Sequence, residues 1–145
     1  RSVNSKGFKM LKPMVREYFI DGDYNCAETM FLIVNKAYNL GFNEEDFKLL
    51  SAFGGGFGCE ITCGALCGAI AVLGSMAVAD RSRATEGFKE LCGEFVEAFR
   101  NEFGHIDCGP IKALYRKDDE TACLSVVELS AEILEKFVKE KGLVP

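Results

Sequence analysis

The chain has 145 residues, enough for one domain with a real core. Its 48% apolar content excludes a disordered chain, and 17 basic against 22 acidic residues, with no basic run, excludes the electrostatic footprint of a nucleic-acid binder. Seven cysteines are an odd number, and Arg1 to Gly7 lack the apolar core of a signal peptide, so a reducing, cytoplasmic setting is expected rather than a secreted disulfide scaffold.

Helical periodicity dominates, and no period-two alternation appears. A first amphipathic stretch runs from about Phe8 to Ile20 and stops at the turn cluster Asp21-Gly22-Asp23. Asn25 or Asp23 caps a second helix with Ala27, Met30, Phe31, Val34 and Tyr38 on its apolar face, ended by Gly41. Asn43 caps a third, whose Glu44, Glu45 and Asp46 suit the positive end of a helix dipole. It carries Phe47, Leu50 and Phe53 and halts at Gly54-Gly55-Gly56.

The nineteen residues from Ile61 to Ala79 hold no charge, a length that at about 1.5 Å per residue nearly spans a bilayer. Gly, Ala, Cys, Ser and Thr are as frequent there as Leu, Ile and Val, and no basic cluster or aromatic belt brackets the segment. It reads as a buried central helix from about Cys63 to Ala79, with Gly64 and Gly68 allowing close backbone approach, and no membrane span is expected.

A fifth helix, roughly Ser82 to Phe103, places Phe88, Leu91, Phe95 and Phe99 on one face. Gly104 to Pro110 is a break, with Pro110 suited to open a short helix. The last helix, about Glu120 to Lys141, carries Cys123, Val126, Val127, Ser130, Ile133, Leu134, Phe137 and Val138 as its core stripe, and Gly142 closes it. These patterns predict an all-α, single-domain bundle of about six helices over residues 1–145, with a glycine-rich turn before a central apolar helix.

The chemistry lies in the cysteines. Cys26, Cys63 and Cys123 fall at helix starts and Cys108 in the 104–110 break. Unpaired amides and the helix dipole at such starts lower a thiol's pKa, which benefits three of the four and prepares nucleophile and metal ligand alike. One cysteine alone usually packs as a small hydrophobe, and Cys92, inside an amphipathic helix, is read that way. Cys59, Cys63 and Cys67 form a C-x3-C-x3-C run; if helical, neighbours share a face, so Cys59 and Cys67 are additional redox or ligand candidates. This run matches neither a zinc knuckle nor the ferredoxin spacings.

Gly54-Gly55-Gly56-Phe57-Gly58 followed by Cys63-Gly64-Ala65-Leu66-Cys67-Gly68 resembles the signature of the redox-active C_GCAxxG_C_C family. Cys63-Gly64-Ala65 with Gly68 fits the core; Cys26 resembles the upstream cysteine, and Cys108 and Cys123 the two downstream ones. The resemblance covers about residues 22 to 130. It implies a small helical redox domain, and similarity to a domain of some multihaem cytochromes implies an iron–sulfur cluster. No C-x-x-C-H is present, so covalent haem is not expected. Cys59, Cys67 and Cys92 are additions to the pattern.

Other candidates carry less. The glycine run lacks the Lys-Ser/Thr of a P-loop and has no preceding strand; it reads as a shaping element, with Gly54, Gly55, Gly56, Gly64 and Gly68 letting backbone wrap the Cys63 site and direct amides at sulfur. The lone His105 reads as a solvated loop residue, and Glu44-Glu45 and Asp118-Asp119 as caps and solvated charge.

The leading expectation is an iron–sulfur or other metal-binding redox protein in electron transfer, with Cys26, Cys63, Cys108 and Cys123 as ligands and a redox partner of unspecified kind. One alternative is a thiol–disulfide oxidoreductase with a cycling pair. Another is a zinc-stabilised interaction module, and a site empty or oxidised as purified stays open, as does homo-oligomerisation.

Overall fold

A computed structural model describes residues 10–144. Five α-helices form the frame: α1 (Cys26–Tyr38), α2 (Gly64–Ala77), α3 (Phe88–Phe103), α4 (Cys108–Tyr115) and α5 (Leu124–Glu140). The described residues contain no strand, only an isolated antiparallel bridge between Thr62 and Asp107. The all-α expectation therefore holds, with a slightly different helix count.

The differences lie at the ends and in the third block. Phe8, the expected start of the first stretch, lies outside the described residues; the remainder is a 3₁₀ turn at Lys12–Met14 followed by a wider, π-type turn at Glu17–Asp21. The block after Asn43 is 3₁₀ over Glu44–Phe53 rather than α-helical, and only Leu50 of it is buried. A segment lying on the surface of the bundle has little apolar burial to enforce a regular α-helix. Asn39 in the left-handed conformation (φ 52°), not Gly41, ends α1. The Asn35 side chain then binds the returning chain, donating to the Phe42 carbonyl at 2.9 Å and accepting from its N–H at 3.1 Å. The fifth expected helix begins at Phe88, because Gly87 (φ 73°) breaks it from the 3₁₀ turn Ser82–Ala84.

Ten of the thirteen α1 residues are buried, so α1 as well as α2 occupies the middle of the bundle. The two form the most extensive helix pair. Two glycines one turn apart make their approach possible. A β-carbon on Gly68 would stand 2.7 Å from the Ala27 carbonyl and 2.8 Å from Met30 Cβ, and one on Gly64 would strike the Cys26 sulfur. α5 closes the other side, burying Val126, Val127, Ser130, Ala131, Leu134, Phe137 and Val138. α3 contributes Phe95, Phe99 and Phe103, with Phe95 meeting Phe137 edge-on at 5.2 Å between ring centres.

No helix among the described residues is long and apolar enough to cross a membrane. The uncharged segment is a buried helix of fourteen residues.

Candidate redox site at four helix starts

Four cysteines stand at the beginnings of four helices. Cys26 is the first residue of α1, Cys63 caps α2, Cys108 opens α4 and Cys123 caps α5. Sequence reasoning placed three at helix starts; Cys108 joins them because the break ends at Asp107 rather than at Pro110. Pro110 then occupies the first turn of α4, where a missing N–H leaves no helical bond unmade.

Local structure draws these starts together. The Cys63 N–H donates to the Ile106 carbonyl at 2.8 Å and the Cys108 N–H to the Ile61 carbonyl at 2.5 Å, flanking the Thr62–Asp107 bridge. Cys63 and Cys108 are thereby fixed on adjoining chain segments. The Cys26 sulfur lies against Gly64, the residue after Cys63. Cys123 follows the turn in which Asp118 accepts from the Thr121 N–H at 2.7 Å and Ala122 takes φ 48°. The thiols lie close enough to sense one another's charge: Cys26 senses Cys123 and Cys108, Cys63 senses Cys26 and Cys108, and Cys108 senses Cys123.

The glycine loop wraps this group. Gly55, Gly56, Phe57 and Gly58 all have positive φ (64°, 61°, 62° and 73°), a left-handed turn that costs a residue such as Phe57 about 1–2 kcal/mol. Gly56 has no alternative. A side chain there would meet the Ile61 backbone at 2.5 and 2.6 Å and Cys108 Cβ at 2.8 Å. The backbone amides of Gly55 and Ala27 favour the Cys26 thiolate. The amides of Ala65 and Leu66 favour the Cys63 thiolate, although Cys63 makes no capping hydrogen bond of ordinary geometry.

The expectation of lowered thiol pKa values is overturned. Burial pushes the Cys63 thiol up to about 12 and Cys26 up to about 11, with the surrounding amides offsetting only part of the effect. Cys108 and Cys123 are also raised, first by burial; Lys112 pulls both down, and Arg116 pulls down Cys123. Helix starts do supply amides and dipole, but removal from water outweighs them.

The remaining candidates stand apart. Cys59 is exposed in the loop, its thiol donating to the Gly56 carbonyl at 3.5 Å, so the C-x3-C-x3-C run is not one helix. Cys67 lies a turn into α2 and Cys92 in α3, both half-buried; burial raises each thiol, and neither senses the other cysteines' charge. His105 is exposed, as expected for a solvated loop residue.

Sequence reasoning missed two features. Asn25 and Glu28 form a complete capping box, legible in the N-x-x-E spacing. The Lys112–Glu60 ion pair (2.9 Å) ties α4 to the glycine loop, and its 52-residue separation gave no sequence signal.

The profile of a family described as "Putative redox-active protein (C_GCAxxG_C_C)" matches residues 24–137. The chain belongs to this family. The match begins just before Cys26 and ends within α5, so it contains all four helix-start cysteines and the glycine loop. The resemblance read from the glycine run and the CGA-x-x-G core is thus confirmed. No curated protein and no solved structure matches the chain significantly.

The donor set suits a metal centre in chemistry: four thiols, with backbone amides that favour the thiolate at two of them. Among the described residues, however, no group of three or more His, Cys, Asp or Glu side chains is arranged to hold a metal ion.

Proposed function

We propose that this C_GCAxxG_C_C protein carries an iron–sulfur cluster on Cys26, Cys63, Cys108 and Cys123 and serves in electron transfer with a separate redox partner. The observation that supports the reading is the placing of these four cysteines at four helix starts, with the Cys26 sulfur against Gly64 and Cys108 against Gly56 of the glycine loop. Such a cluster, when bound, takes up and releases single electrons.

The chain's own residues would do the rest. The Gly55 and Ala27 amides favour negative charge on Cys26 and the Ala65 and Leu66 amides on Cys63, so part of the thiolate charge is balanced by fixed dipoles. Burial of Cys63, only 5% exposed, keeps water from its sulfur. Buried thiols with raised pKa values are poor nucleophiles at neutral pH, which favours a metal centre over thiol–disulfide exchange, since iron supplies the positive charge that stabilises the thiolates. The odd number of cysteines, seven, supports a reducing, cytoplasmic setting.

Purification without oxygen tests the reading. Absorbance between roughly 400 and 500 nm, with iron and sulfide present together and lost together in Cys63→Ala, is expected. Colourless, iron-free protein overturns it, and tight zinc without colour replaces it with a structural module.

A further inference from the structure

Asn25 stands immediately before Cys26 and closes a ring of hydrogen bonds at the start of α1. Its Oδ1 accepts from the Glu28 N–H at 2.9 Å, and Glu28 Oε1 accepts from the Asn25 N–H at 2.8 Å. Two further bonds leave the helix. Asn25 Nδ2 donates to the Ser51 carbonyl at 3.0 Å, and the Ser51 hydroxyl donates to Glu28 Oε2 at 2.5 Å.

Capping alone requires only the acceptor, which Ser, Thr or Asp supplies equally well. Asn is the N-cap residue whose side chain also has a donor amide, and here that amide grips the chain three residues before Gly54. The grip is tight. A β-carbon on Gly54 would come within 2.8 Å of Asn25 Cγ. A β-carbon on Gly64 would meet both the Cys26 sulfur and Gly54 Cα, so this loop passes beside that sulfur, and the next amide, that of Gly55, favours its thiolate.

We propose that Asn25 is a positioning residue: its amide holds the glycine loop against the start of α1, so that the Gly55 N–H reaches the Cys26 sulfur. The helix cap and the loop anchor are then the two ends of one side chain. This inference rests on the iron–sulfur reading only for its last readout, the potential.

Asn25→Asp keeps the capping oxygen but turns an oxygen toward the Ser51 carbonyl, and Asn25→Ser keeps a cap too short to reach it. In metal-free protein, hydrogen exchange followed by NMR should show the Gly55 amide exchanging at least about tenfold faster in both variants, with the α1 interior amides unchanged. In iron-loaded protein the midpoint potential should fall, because an N–H donated to sulfur favours the more negative, reduced state. Unchanged Gly55 exchange in both variants overturns the proposal. Equal acceleration along all of α1 also overturns it, because Asn25 would then act as a cap only. A wild type that binds no iron defeats the cluster reading and leaves the exchange test intact.

Discussion

The sulfur of Cys26 fills the space that a β-carbon on residue 64 would occupy. One glycine therefore serves two purposes: it lets α1 and α2 touch, and it makes room for the Cys26 sulfur. Gly64→Ala must push the helices apart, since the added carbon also lies 3.0 Å from the Phe53 carbonyl. A loss of about 1–3 kcal/mol is expected from this overpacking. Gly74→Ala on the same helix is the contrast. The nearest neighbour of its β-carbon is Phe88 at 3.8 Å, so it should gain about 0.5–1 kcal/mol. Denaturant melts of the two variants check both signs.

The raised thiols make the metal-free protein sensitive to alkali. A thiol whose folded pKa exceeds its ordinary 9.0 adds stability below that value and loses it as the pH climbs through the folded value. Stability of metal-free protein should therefore fall between about pH 9 and the values of about 11 and 12 carried by Cys26 and Cys63. Cys26→Ala should flatten that decline. Urea titrations at stepped pH measure it, and a decline equally steep without the thiol contradicts the assignment.

Exposure sorts the cysteines by accessibility. Cys59 is exposed and Cys63 only 5% so. Brief alkylation of native protein, mapped by mass spectrometry, should label Cys59 at least about tenfold faster than Cys63, which reacts only when the bundle opens. Cys59→Ser should leave visible absorbance intact; loss of colour there would make Cys59 a ligand.

Thr29 is fully buried and its hydroxyl lacks a hydrogen-bond partner. Replacing the hydroxyl by a methyl group in Thr29→Val removes a stranded polar atom at nearly constant shape. A gain of about 1 kcal/mol is expected. A loss would show that the hydroxyl is satisfied by water or by a group bound in solution.

Much of the architecture was legible along the chain. Phe95 and Phe99 on one face, and Val126, Ser130 and Phe137 on another, announced α3 and α5, because a buried stripe needs a 3.6-residue period. Local chemistry named Asn25 as a cap candidate and identified the CGA-x-x-G core around Cys63. The 3₁₀ block at Glu44–Phe53 was misread as regular helix, because its period resembles one while its surface placement leaves little burial to regularise it.

The sequence by itself determined the helical class, the core stripes and which cysteines fall at breaks, since all three are local properties of spacing and residue type. Only the tertiary structure decided which helix starts meet, because the Cys26–Gly64 contact, the Thr62–Asp107 bridge and the Lys112–Glu60 pair join residues 38 to 52 positions apart. It also decided the state of the thiols. A helix start alone lowers a thiol's pKa; burial, which depends on every surrounding element, reversed the sign.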